Sequence, residues 1–510
     1  MADAEEGVRC DERFTTYPEL FAHALRASGG LSELGVSAGD RVALLMRNSI
    51  EFLEASIATV PLGASAVPIN WHWRGEEIAH LLTDSGAKAL IVHADLWPEV
   101  ASRVPGGVAT VIVPADGDAG RDDDGPPAPD PTGGQLWPRW LERSPPYAGT
   151  VDSAPSSIIY TSGTTGRPKG VVRQPSSDAR REVARGLINE IFGLQDGERA
   201  LIPAPMYHAA PNVYALAAAI QGLDMTILRR FDAEDFLRAV AERQVSVVQM
   251  VPTMFVRLLA LPEEVRRGYD VSSLRRVVHA AAPCPPHVKR AMIAWLGPIV
   301  SEYYGGTETG PIVHCTSAEW LAHPGTVGRP LPGARVRILD ERGDEVPTGE
   351  SGEVYGRLDV WPDFTYHGDE GKRRAAERDG LISIGDVGYV DPEGYLYLND
   401  RRHDMVISGG VNIYPAEIEA CLLALHGVRD CAVFGVPDEE LGEVLAAHVE
   451  LAGGASVAAD DVREHVRTRL ARYKVPRVVE FTATLPREDS GKIFKRRLRE
   501  PYWAGRERSI

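Results

Sequence analysis

Short apolar runs alternate along most of the chain with stretches whose small and apolar residues recur at helical spacing. Residues 40–46 (Asp-Arg-Val-Ala-Leu-Leu-Met) read as a strand, residues 50–60 as a helix stopped by Pro61, and residues 87–92 as a second apolar strand. Residues 245–251 and 274–281 read as strands of the buried type, with helical stretches between them. This alternation predicts an α/β fold in which helices cover layered sheets. Residues 117–146 break the rhythm. They are rich in Asp, Gly and Pro, and the pattern predicts a solvated loop anchored at its far end by Trp137 and Trp140.

Near residues 400–404 the texture changes to a charged run, Asp-Arg-Arg-His-Asp. A Gly-Gly turn, a helix from Pro415, strands at 430–436 and 446–451 and a helix over 457–471 follow. That is a small α+β domain of about a hundred residues, within the usual domain range. The expected division is a large N-terminal domain over 1–401 and a small C-terminal domain over 402–510. A chain of 510 residues exceeds what one core organises.

Composition narrows the function classes. With 44% hydrophobic residues the chain is globular, and its formal net charge of −17 argues against nucleic-acid or anionic-membrane partners. Any anionic ligand must be held by local donors. The five cysteines (Cys10, Cys284, Cys315, Cys421, Cys431) are scattered and lack Cys-x-x-Cys spacing, which argues against a disulfide framework or structural zinc. The acidic N-terminus has no apolar signal region and no run is long enough to span a bilayer, so a cytoplasmic location is expected.

Four segments carry candidate chemistry. Residues 160–170 read Tyr-Thr-Ser-Gly-Thr-Thr-Gly-Arg-Pro-Lys-Gly, directly after an apolar strand end. Gly163 and Gly166 allow successive N–H groups to converge on one anion. Thr161, Ser162, Thr164 and Thr165 add hydroxyls, and Lys169 adds charge: the run suits a phosphate. It is not a Walker A loop, whose spacing it lacks. Residues 303–308, Tyr-Tyr-Gly-Gly-Thr-Glu, offer an aromatic face for a base, close backbone approach, a hydroxyl for a phosphate and a carboxylate for a magnesium ion. Residues 383–388, Ser-Ile-Gly-Asp-Val-Gly, offer Asp386 as a partner for a ribose diol. Residues 485–493, Leu-Pro-Arg-Glu-Asp-Ser-Gly-Lys-Ile, place Lys492 in a polar loop, where an ammonium could stabilise the joining of two anions.

With these motifs in this order from Tyr17 to Arg499, the chain resembles the adenylate-forming superfamily of acyl-CoA synthetases, luciferases and peptide-synthetase adenylation domains. The resemblance implies ATP, magnesium and CoA as cofactors and co-substrates, and a small C-terminal domain that rotates between half-reactions. It makes Lys492 catalytic, together with Thr307, Glu308 and His208. The ATP or AMP site would comprise Thr161, Ser162, Gly163, Thr164, Thr165, Gly166, Lys169, Ala281, Ala282, Tyr304, Thr307, Asp386 and Arg401, with Glu308 as the metal ligand. The acyl pocket would take His208, Met250, His279, Ala280 and Tyr303. Ser408, Gly409, Gly410, Arg472 and Lys474 would lie on the CoA side. Two positions depart from the family pattern. Ala280 replaces its usual glycine, adding a methyl group at the pocket, and His403 replaces the usual Asp or Lys of the hinge. The hinge departure leaves the adenylation half-reaction better supported than the thioester half-reaction.

The expected activity is therefore ATP-dependent conversion of a fatty, aryl or polycyclic carboxylic acid to acyl-AMP with release of pyrophosphate, followed by transfer to CoA. One alternative is a stand-alone acyl-AMP ligase that hands its product to a partner ligase or carrier protein. A luciferase-like oxygenase is remote. A silent nucleotide-binding module is a further alternative, against which stand Lys169, Thr307, Glu308, Asp386, Arg401 and Lys492.

Overall fold

The computed structural model describes residues 6–73, 75–114, 135–149, 156–161, 169–401, 404–408, 411–438, 441–487 and 493–504, with Arg401 and Asn412 described by their main chain alone. Ser162, Gly163, Thr164, Thr165, Gly166, His403, Gly409, Gly410 and Lys492 lie outside this set.

The widest sheet has 14 strands. In its parallel part Gly7–Cys10, Asp224–Ile227, Arg199–Ile202, Val247–Met250, Arg276–His279 and Val300–Gly306 stand side by side. Parallel strands covered on both faces read as unbroken apolar runs, and Val247–Met250 is buried at every position. Beyond Val300–Gly306 the pairing turns antiparallel, starting with Gly310–Cys315 and continuing through Thr326–Pro330 and Leu396–Arg401. The helices Pro252–Leu259 and Pro286–Leu296 cover one face around Phe255, Met292 and Trp320. The helices Tyr17–Glu33, Ile50–Ala58 and Ala209–Gln221 contribute Leu31, Phe52 and Tyr214 to another core.

A second sheet is wholly parallel, in the order Ser65–Pro68, Arg41–Leu45, Ala89–His93, Ala109–Val113 and Gln135–Leu136. A third, antiparallel sheet joins Ile159–Thr161, Lys169–Arg173 and Phe364–Tyr366. It brings residues near 366 against the segment that carries the glycine-rich run. The small C-terminal domain holds a fourth sheet of Val411–Ile413, Val406–Ser408, Gly442–Leu451, Val428–Asp438 and Val478–Thr482. The helices Pro415–Leu422 and Ala459–Arg467 close its core with Ile418, Leu422, Val462 and Val466.

Expectations fail locally in two stretches. Residues 135–143 are not loop: Gln135–Leu136 adds an edge strand and Trp137–Arg143 is a helix. Pro138 suits the first helical turn. Trp137 and Trp140, three residues apart, share one face, are both buried, and stand 5.3 Å apart between ring centroids. The helix predicted over 457–471 is shorter, ending at Arg467. Among the described residues no helix is long and apolar enough to cross a membrane.

Candidate active site

In open α/β sheets ligands bind beyond the carboxyl ends of the strands, where the strand order reverses. Here the segments leaving the carboxyl ends of Arg199–Ile202, Val247–Met250, Arg276–His279 and Val300–Gly306 wall one cavity of about 1850 Å³. The small domain contributes to the same wall through Glu417, Glu419 and Lys495.

Residues 303–308 form the rim where parallel pairing gives way to antiparallel. Gly305 is required there, because a Cβ would lie 1.9 Å from the Gly310 carbonyl oxygen. Gly310 has a φ of +67°, and a Cβ on it would strike the Trp361 ring at 2.4 Å. The Gly306 N–H donates to Thr309 Oγ1 at 2.9 Å, closing the turn. The Tyr304 hydroxyl donates to Asp386 Oδ2 at 2.7 Å, and the ladder sets Asp386 opposite Arg401. Two separately predicted motifs are thus one contact. Ala280, Ala281 and Ala282 form the facing wall. Ala281 holds a φ of +74°, a region costly for a residue with a Cβ.

Several residues that carry no sequence signal complete this end. Arg173 reaches under the turn and donates to the main-chain carbonyls of Glu308 at 2.7 Å, of Pro362 at 3.0 Å and of Thr307. Burial lowers its pKa to about 10. The Tyr366 hydroxyl donates to Glu308 Oε1 at 3.0 Å. The Lys372 ammonium lies 4.3 Å from the Tyr366 ring centroid, and partial burial holds its pKa below the ordinary lysine range. Lys169 stands 3.4 Å from Asp369, whose carboxylate also accepts the N–H of Lys372. A pattern search passes over Arg173, Tyr366 and Lys372 because they converge only when Phe364–Tyr366 pairs with Lys169–Arg173.

The other compartment is apolar. Ile57, Val60, Ile188, Phe192, Tyr207, Val213, Leu216 and Val251 line it, with His208 at the start of the helix Ala209–Gln221. Tyr303 lines it and meets Phe192 edge-on at 5.8 Å. Met250 and His279 do not belong to the cavity wall, contrary to expectation. Met250 packs with the helix-covered core beside Phe255, and Val251, which follows the strand and belongs to the same core, also reaches the wall. His279 is wholly buried, edge-on to Phe255 at 5.3 Å, with Nε2 3.6 Å from Glu302. Burial pushes its pKa well below 6.5, so it is neutral. Glu302 opens onto the cavity and accepts from the fully buried Lys289 at 2.5 Å.

The CoA-side candidates Ser408, Arg472 and Lys474 stand outside the cavity wall, with Lys474 paired to Glu417. At the domain junction Asp400 Oδ2 accepts the Ala416 N–H at 2.9 Å, capping the helix Pro415–Leu422 of the small domain. Lys495 Nζ lies 2.8 Å from Glu419.

This geometry, a polar rim beside an apolar compartment, agrees with what the chain is similar to. Residues 3–358 match the family described as AMP-binding enzyme, and residues 417–492 match its C-terminal domain. The chain belongs to this family of adenylate-forming enzymes, within which it groups with the acyl-CoA synthetases. Feruloyl-CoA synthase of an Amycolatopsis species is 36% identical over 509 residues, covering 98% of this chain and 97% of that protein. Long-chain-fatty-acid–CoA ligase FadD13 of Mycobacterium tuberculosis is 34% identical over 493 residues, covering 96% and 93%. ATP-bound MatB from Rhodopseudomonas palustris superposes with a TM-score of 0.84 at 28% identity, covering 98% of this chain and 97% of that one.

Proposed function

We propose that the two compartments divide one reaction between them, nucleotide on the Tyr304–Asp386 side and acid on the Phe192–Leu216 side. The protein is an AMP-forming acid–thiol ligase. It activates a carboxylic acid with ATP as acyl-AMP, releases pyrophosphate, and transfers the acyl group to CoA. The observation that supports the assignment is that Tyr304, Asp386, Thr307, Glu308 and the apolar side chains line a single continuous cavity.

Adenine would lie between Tyr304 and the Ala280–Ala282 backbone, and the ribose diol on Asp386 with Arg401. Thr307 would meet the α-phosphate, and Ser162, Gly163, Thr164, Thr165 and Gly166 with Thr161 and Lys169 the remaining phosphates. Carboxylate oxygen attacks the α-phosphorus while the bond to the bridging oxygen breaks. Lys492 would stand between the two anions and stabilise the charge that develops. Arg173 holds the main chain of Thr307 and Glu308 in place for this. Among the described residues no three His, Cys, Asp or Glu gather as a metal site. Glu308 puts a single carboxylate on the cavity wall, which suits magnesium, an ion that takes most of its ligands from phosphates and water and one or two from carboxylates. Glu308, oriented by Tyr366, would hold it, and the ion would neutralise charge on the phosphate oxygens. A domain division at 401/402 would let the small domain, which carries Lys492 as well as Gly409, Gly410, Arg472 and Lys474, serve the two half-reactions in turn.

The apolar lining favours acids with a bulky hydrocarbon or aromatic body. Pyrophosphate release measured over a panel of acids, with and without CoA, tests this. Aryl, polycyclic or long-chain acids should exceed acetate and malonate by at least tenfold in kcat/KM; a preference for the short acids would overturn it. Acyl-AMP formed at full rate but never consumed by CoA would favour delivery to a partner ligase or carrier protein.

A further inference from the structure

The phosphate end of the cavity contains a cation that the motifs do not account for. Lys372 lies on the short helix Glu370–Ala375, held over the Tyr366 ring, and opens onto the cavity. Burial, and after it the charges of Glu308, Asp369 and Lys169, act on its ammonium, with the net effect of lowering its pKa. Its main-chain N–H donates to Asp369 Oδ1 at 2.9 Å, and Asp369 Oδ2 is the atom 3.4 Å from Lys169 Nζ. One aspartate therefore ties both lysines to a single frame. Of the aspartate and the two lysines, Lys372 is the one that reaches the cavity wall, with the Lys169–Asp369 pair next to it, and a polyanion in the cavity would offset the repulsion between the two lysines. Asp386 and Tyr304, the nucleoside partners, bond to each other elsewhere on the rim.

We propose that Lys372 is a phosphate-binding residue for the β- and γ-phosphates of ATP, and hence for the pyrophosphate that leaves. The inference rests on the adenylation reading above. As the carboxylate oxygen bonds to the α-phosphorus, the electron pair of the broken bond passes to pyrophosphate, and charge grows on the group that Lys372 faces. AMP and acyl-AMP lack that group, so Lys372 acts on ATP and pyrophosphate alone.

The test compares Lys372→Met and Lys372→Arg with the parent protein. Equilibrium binding of ATP and of AMP is measured by calorimetry, together with two reactions of supplied acyl-AMP: reversal by pyrophosphate to ATP, and transfer to CoA. Lys372→Met should weaken ATP binding and raise KM for pyrophosphate by roughly 10- to 100-fold, the range for a lost charged hydrogen bond. AMP binding and CoA transfer should stay within about twofold of the parent. Lys372→Arg should recover most of the loss. Equal weakening of ATP and AMP, or no change in either, would overturn the inference. A parent protein that binds no ATP would instead overturn the adenylation reading. Thermal unfolding of both variants separates loss of binding from loss of fold.

Discussion

Glu308 shows how one side chain depends on what surrounds it. Its carboxylate takes a hydrogen bond from Tyr366, while its own carbonyl is held by Arg173. Glu308→Gln keeps an acceptor for Tyr366 and removes the charge. We expect adenylation to fall roughly a hundred-fold, with the magnesium midpoint shifted upward and AMP binding little changed. Equal losses of acid binding and magnesium response would place Glu308 in the acyl pocket instead. A second residue, His93, tests burial rather than chemistry. It closes the strand Ala89–His93, is 4% exposed, and accepts the Arg47 N–H at Nδ1. Burial lowers its pKa from 6.5 to about 4. The folded state thus favours the neutral ring, so its contribution to stability is whole above pH 6.5 and is lost as pH falls toward 4. The slope is at most about 1.4 kcal/mol per pH unit. His93→Asn keeps an acceptor without a titrating group, and urea unfolding between these pH values should show a shallower acid limb. An unchanged limb would remove His93 as its source.

At the scale of elements, the helix Pro286–Leu296 is pinned to the strand Val300–Gly306 by the buried Lys289–Glu302 pair. Removing one partner leaves a charge without its counterion, typically costing about 3–5 kcal/mol, whereas replacing both by apolar residues is often neutral. Lys289→Met should lose stability in that range by urea unfolding, and Lys289→Met/Glu302→Leu should recover more than half of it. If the double variant is no better than the single, the pair is not what joins the two elements. The three-stranded sheet has a different effect: by pairing Phe364–Tyr366 with Lys169–Arg173, it places Tyr366 and Lys372 beside Glu308.

For the whole molecule, the proposed function turns on the junction between domains. Asp400 belongs to the strand Leu396–Arg401 yet caps a helix of the small domain, so this hydrogen bond is sensitive to how the two are oriented. The hinge at His403 is a proposal that rests on the family resemblance alone. His403→Pro fixes φ and removes an N–H donor. Single-turnover measurements that follow acyl-AMP and acyl-CoA separately should show acyl-AMP forming and then accumulating in the presence of CoA. A variant that consumes acyl-AMP as fast as the parent would exclude the hinge role.

Local pattern in the sequence was enough to indicate the α/β alternation, the small domain after the charged run, and the segments at 303–308 and 383–388, because strand alternation, glycine turns and donor chemistry are properties of neighbouring residues. The family follows from the same motifs. Long-range pairing decided the rest. Tyr304 and Asp386, Arg173 and Glu308, and Lys372 and Tyr366 meet through strand pairing and helix placement rather than spacing. Which residue reaches the cavity also depends on the layers around it: Met250 and His279 end their strands inside the core, and the next residues, Val251 and Ala280, are buried but touch the wall. The Asp-Gly-Pro texture before Gln135 concealed a strand and a helix that only the burial of Trp137 and Trp140 against other elements stabilises. A residue's own type and its neighbours specify what chemistry it can perform; packing against distant parts of the chain decides where it performs it.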